Sequence, residues 1–412
     1  MESVIFIPGL GTRLFDQSVE SFAYRYKKAL DINDVDPDKQ YETEFRKISF
    51  GKDRRQESNV AVIFTLKDGK REDVYEIYEL EYGKALVDKF EKKNIIVRVL
   101  MLFAAIIFKV PGIVYQFFSS LFRKRGKKST LSFRGILQFT YAAFVLLVIS
   151  VFGLILIVSL ISYLPDILTA NSIPIPPQIQ HFILWFRDLI NAKFVILAST
   201  LIMLFLPNVK NFLSIIATEY VCTIYYLNFG ERRQSIIGKL EELAEYVVEH
   251  SGHGNLSIYS LSFGSIIACD ALFPQDGRPS LRLASTKTLV TIGSPIDFIN
   301  AYWPYYFESR AKSAAQIKHW YNIYSMSDIL SSNFRYDDKE LEAQYSIADS
   351  SVLPTNITYN LINSRGNYVL GLLFLGGLRA NQLYWDEEVY SASCLTNLVL
   401  KMKEEDSLGI RN

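Results

Sequence analysis

Hydrophobic and polar residues alternate in two ways along this 412-residue chain, and a long apolar middle separates them. No residue from Gly135 to Pro165 is charged. The run ILQFTYAAFVLLVISVFGLILIVSLISYL exceeds the roughly 20 apolar residues that span a bilayer as a helix. A second apolar stretch, Phe194 to Thr218, is broken near Pro207 and is richest in FVILASTLIMLFL. Upstream, Val99 to Phe122 is apolar but interrupted by Lys109 and Pro111, so residues 95–122 form either a third crossing or a bent interfacial helix.

On either side of this middle the pattern is that of an α/β protein. SVIFIPGLGT reads as a strand closed by Pro8-Gly9, and SFAYRYKKAL as a helix. Strands are expected near Glu44 to Phe50 and Val60 to Leu66. The turn at Asp68-Gly69 then pairs the second of these with VYEIYEL. Beyond the apolar middle, QSIIGKLEELAEYVVEH places Ile236, Leu240, Leu243 and Val247 on one helical face. LSIYS, the helix SIIACDALF and the strands TKTLVTIGSP and HWYNIYSMSD follow. Alternating strands and helices predict a mostly parallel sheet with helices on both faces, interrupted by a helical membrane insert. The expected parts are residues 1–93, a membrane-embedded insert at 94–230, and residues 231–412.

Charge orients the insert. The cluster RKRGKK, Arg123 to Lys128, lies just before the long apolar run, whereas the loop from Asp166 to Asn191 holds Arg187 as its one Lys or Arg. Basic residues concentrate on the cytoplasmic side, which puts both flanking parts there and makes the protein multi-pass. A net charge of +1 gives no reason to expect a nucleic-acid partner. Three cysteines, Cys222, Cys269 and Cys394, build no disulfide framework and show no metal-ligand spacing. No phosphate-cradling loop or zinc motif is present, so neither cofactor nor metal is expected.

The candidate chemistry begins at SLSFG, Ser260 to Gly264, between an expected strand and an expected helix. A turn of this kind lifts the middle serine above the sheet and admits only small residues two positions either side of it. Gly264 meets that demand and Ser260 replaces a glycine. With these residues the chain resembles the α/β-hydrolase superfamily, and more closely its lipase-like and esterase-like members, over about residues 1–85 and 232–400.

The resemblance implies Ser262 as nucleophile and the backbone N–H groups of Leu10 and Phe263 as an oxyanion hole. Leu10 lies in Pro8-Gly9-Leu10-Gly11, whose glycines match the family loop but which lacks its histidine. Asp328, in YSMSDIL, stands where the family places its triad carboxylate. Its competing role is helix N-capping, because ILSSNF follows.

Similar enzymes often end with His-x-x-Tyr-Trp. Here the stretch is Asn381-Gln-Leu-Tyr384-Trp385, so Asn381 occupies the expected histidine position. No histidine follows His319. His253 and His319 precede their strands and belong at the far end of the sheet, His250 ends a helix, and His181 lies in the insert loop. An asparagine cannot take up a proton near neutral pH.

Two functions follow from the resemblance. One is a membrane-bound serine hydrolase acting on acyl esters or lipids, impaired by the missing histidine. The other is a pseudohydrolase that binds membrane lipid, a protein partner or another copy of itself. Asn255-Leu-Ser257 and Asn356-Ile-Thr358 match the glycosylation pattern, but a cytoplasmic location makes chance the better reading. AYWPYYF, Ala301 to Phe307, belongs to the pocket mouth, the membrane interface or an ordinary core.

Overall fold

A computed structural model describes residues 1–10, 18–34, 39–52, 55–67, 70–94, 100–106, 209–228, 230–251, 255–275, 278–303, 316–326, 330–337, 339–347, 352–359 and 393–409. Isolated residues elsewhere, Arg310, Asp328 and Tyr384 among them, are also described. The chain divides into two compact units. The first gathers 1–92, 115–139 and 222–412, and the second 93–114 and 140–221. The apolar runs at 135–165 (except Thr140 and Ala143) and 194–207, the cluster Arg123 to Lys128 and the turn Asp68-Gly69 lie outside the described residues. Among the described residues, no helix is long and apolar enough to cross a membrane.

The first unit is an α/β structure built on one eight-stranded sheet. Its strands are β1 (Glu2–Ile7), β2 (Tyr41–Phe50), β3 (Gln56–Lys67), β4 (Lys70–Glu79), β5 (Leu256–Leu261), β6 (Thr286–Ile292), β7 (His319–Tyr324) and β8 (Thr355–Thr358). They lie in the order β2-β3-β4-β1-β5-β6-β7-β8. The pairs β2/β3 and β3/β4 are antiparallel, and every pair from β4/β1 to β7/β8 is parallel. Two connections jump across the sheet: from central β1 out to edge β2, and from β4 across β1 to β5.

The helices are α1 (Val19–Asn33), α2 (Val209–Asn228), α3 (Gly230–Ser251), α4 (Phe263–Leu272), α5 (Ile296–Tyr302) and α6 (Cys394–Ser407), with single turns at Gly83–Leu86 and Asp88–Glu91. Local signals explain their starts. Ser18 caps α1 by accepting from the Ser21 N–H, and Ser393 and Thr396 form a reciprocal capping box on α6.

One core layer joins α1 and α6 to the sheet. Val4 and Phe6 of β1, Tyr259 and Leu261 of β5, Val290 and Ile292 of β6, and Ile323 of β7 meet Phe22 and Tyr26 of α1 and Leu395 and Leu398 of α6. Phe6 and Phe22 stack with ring centroids 4.4 Å apart. Each such side chain contributes roughly 2 kcal/mol by leaving water. Helices α3 and α4 pack on β1, β2 and β5, and β5 is buried along its whole length, as a central strand covered on both faces should be.

Candidate active site

A single residue separates strand β5 from helix α4. Ser262 has φ 50° and ψ −120°, a conformation an L-residue adopts only under constraint, at a cost of about 1–3 kcal/mol. Its N–H donates to Ile292 O on β6 at 2.7 Å, which ties the turn to the neighbouring strand. The half-buried side chain makes no capping bond to α4.

The small residues around Ser262 have visible reasons. A Cβ on Gly264 would fall against the carbonyl oxygens of Ile7 and Pro8, 2.5 Å from the latter. Only glycine lets α4 start this close to the loop after β1. Ser260 stands where a glycine was expected, and its hydroxyl donates to Val290 O at 2.9 Å. Ser265 in turn donates to Ser260 O at 3.3 Å. The departure is absorbed by hydrogen bonding.

The loop after β1 is held from β4. Leu80 N–H donates to Phe6 O at 2.9 Å, and the buried Tyr82 hydroxyl donates to Pro8 O at 2.9 Å. Leu10 is buried, while Gly11 and the next six residues lie outside the described ones. Glu79 pairs in register with Phe6 beside this loop, and Asn59 Nδ2 donates to its Oε2 at 2.9 Å. Burial pushes the Glu79 carboxyl up to about 6.

Asp328 follows β7, and its carboxylate is buried and engaged. Oδ2 accepts the Tyr384 hydroxyl at 2.7 Å, and Oδ1 accepts the Leu330 N–H at 2.9 Å. The Tyr384 oxygen also accepts the Ser325 N–H at 3.2 Å. The tyrosine ring lies against Gly293 at the end of β6, where an added Cβ would sit 2.7 Å from Cε2. Burial first, and the Asp328 charge second, push the Tyr384 phenol far above its ordinary range. Tyr384 therefore stays a donor.

The N-capping alternative for Asp328 needs correction. Its carboxylate closes an Asx turn on Leu330, and residues 330–337 form no helix. Asn381 lies outside the described residues. Sequence reasoning used Tyr384 only as a marker beside Asn381 and missed it as the partner of Asp328. The signal was already in Asn381-Gln-Leu-Tyr384-Trp385.

Two histidines of the first unit have other places. His319 opens β7, so roughly 17 Å of strand separates it from the end that leads to Asp328. His250 is exposed at the end of α3, stacked on Tyr246 with its Nδ1 2.8 Å from Tyr246 O. His253 lies outside the described residues.

Asn356, one of the two glycosylation matches, is tied into the interior instead. It accepts from Asn322 Nδ2 at 3.1 Å and donates to Asn333 O at 2.7 Å. Tyr302 and Phe307 of the aromatic cluster are buried. Among the described residues, no group of three His, Cys, Asp or Glu side chains is placed to hold a metal ion.

These elements define an α/β protein with a strained serine turn at the C-terminal edge of a mostly parallel sheet. Comparison with protein families, characterised proteins and solved structures gives no match.

Proposed function

We propose that the protein is a membrane-anchored α/β-hydrolase-like protein, resembling serine esterases and lipases that act on acyl esters or lipids. Its turnover is impaired because no histidine completes the triad. The observation that carries this reading is the turn at Ser262: a positive-φ serine between a parallel strand and a helix, with Gly264 pressed on the β1 loop. In this reading the N–H groups of Leu10 and Phe263 stabilise a developing oxyanion. Nothing takes the Ser262 proton. The apolar middle of the chain anchors the protein, both soluble parts face the cytoplasm, and the site lies beside its lipid substrates.

A second reading, a pseudohydrolase that binds a lipid or a protein partner, is favoured by the Tyr384 hydroxyl on Asp328. A carboxylate already bonded to a core phenol has a structural use that needs no imidazole.

A fluorophosphonate probe and a short-chain ester assay in detergent test the proposal. Ser262 should label slowly, and wild-type ester hydrolysis should be near background. Asn381→His should raise the rate, and Ser262→Ala should remove that gain. Brisk wild-type hydrolysis that survives Ser262→Ala would sink the assignment of the site. Opposite-side labelling of cysteines introduced at the two termini would sink the topology.

A further inference from the structure

We propose that Tyr226, near the end of α2, is a positioning residue for the serine turn: it braces α4 and thereby aims the N–H of Phe263. The inference rests on the hydrolase-like reading above. It concerns a side chain that plays no part in the chemistry itself.

Tyr226 is fully buried and meets α4 at two places. Its ring packs edge-on against Phe263, the residue directly after Ser262, with centroids 5.2 Å apart and planes at 82°. Its hydroxyl lies by the carboxylate of Asp270 without a hydrogen bond to it; Asp270 is seven residues further along α4 and so on the same face. Burial and the Asp270 charge raise the Tyr226 phenol well above its ordinary range, so it remains neutral.

Asp270 is itself fixed. Arg310 Nη2 forms a buried ion pair with its Oδ1 at 2.8 Å, and the Tyr306 hydroxyl donates to Oδ2 at 2.5 Å. Arg310 also donates to Phe273 O at 3.1 Å, just past the helix end. The tyrosine is therefore packed between Asp270, which the charged cluster fixes, and the first residue of α4. This geometry restricts both the roll and the slide of the helix. The Phe263 N–H sits at the helix start, where a small roll redirects it.

The source of the brace gives it a wider meaning. Helix α2 starts among residues grouped with the second unit, and its last turns, from Cys222, belong to the first. Cys222 Sγ donates to Leu86 O at 3.4 Å, which pins that last part. The chain leaving the apolar middle thus supplies the side chain that steadies the elbow.

Ser262→Cys makes the brace measurable without a histidine. The three native cysteines are buried, so a thiol at 262 is the expected alkylation site. Its thiolate should be favoured by the N-terminus of α4 and by the Phe263 N–H. The readout is the pH dependence of iodoacetamide alkylation of the purified full chain in detergent. Adding Tyr226→Leu should raise the titration midpoint by about half a unit, a roughly threefold loss of rate at pH 7. Phe263→Leu should give a similar loss, and the two together no more than either alone. Tyr226→Phe keeps the ring on Phe263 and removes a hydroxyl that makes no hydrogen bond, so it should leave the midpoint in place. Phe263→Leu carries the test if the Tyr226→Leu variant does not fold.

An unchanged midpoint in the Tyr226→Leu or the Phe263→Leu variant, or additive losses in the pair, would overturn the inference. A folded Ser262→Cys protein whose thiol resists iodoacetamide would overturn the elbow reading itself, and this inference with it.

Discussion

The serine corner and the acid corner sit two strands apart at the same edge of the sheet, and they are built on opposite principles. Ser262 is half-buried, at positive φ, with a side chain that caps nothing and a helix start pressed against a neighbouring backbone. Asp328 is buried in an Asx turn, with a tyrosine hydroxyl on one oxygen and an N–H on the other. Strain and exposure mark the first, saturation and burial the second. A residue held in a costly conformation needs a reason beyond packing, whereas a satisfied buried carboxylate already has one. The comparison separates a strained, half-buried serine from a buried, fully engaged aspartate.

The most severe way to break the contrast is Gly264→Ala. The new methyl meets backbone carbonyls that cannot rotate away, so a loss of about 3 kcal/mol or more is expected in chemical denaturation. Labelling of Ser262 should fall with it. At the other corner, Tyr384→Phe keeps the ring on Gly293 and removes only the hydroxyl. Losing a hydrogen bond to a buried carboxylate should cost about 2 kcal/mol, with Ser262 labelling unchanged in the folded protein. A large change in labelling would mean that the corners are not independent.

Glu79, at the end of β4 beside β1, offers a pH test. Its folded pKa, about 6, is raised above the unfolded value, so the folded state prefers the protonated form. The contribution is complete below about pH 4.5 and is lost as pH rises through 6, leaving a cost of roughly 2 kcal/mol in alkaline buffer. Glu79→Gln should therefore raise Tm at pH 8 and leave it nearly unchanged at pH 4.5. The opposite ordering would show the carboxylate to be a favourable cap. Smallest of all, Ser262→Gly should relieve the backbone and stabilise the protein by about 1 kcal/mol, while Ser331→Gly on the acid side should not stabilise it.

Much of the architecture was legible in the sequence because it depends on local periodicity. The apolar alternation of β1, β5, β6 and β7, and the stripe along α3, carry their own signal. The expected strand at Val60 to Leu66 and its partner appear as β3 and β4, paired up to Lys67 and Lys70 across the turn. The strand SLSFG leaves and the helix it enters are also where the pattern put them.

Sheet order was not legible, because nothing in residues 2–7 says that they will lie between β4 and β5. β8 was missed because TNIT is short and half polar, and its Asn356 looked like a surface motif until long-range partners claimed it. Tyr384 was hidden for the same reason: its partner is 56 residues away.

The place of β1 also sets a timetable for biosynthesis. β1 is an interior strand, and Ser3 pairs with Leu256, 253 positions later in the chain. At the usual elongation rates of about 5–20 residues per second, that partner leaves the ribosome roughly 13–50 s after β1 does. Through that interval the nascent chain can form only the β2-β3-β4-β1 half, with β1 as a bare hydrophobic edge open to pairing with any other strand. The apolar middle of the chain is made within the same interval. Completion of the sheet therefore waits on the synthesis of residues 93–255.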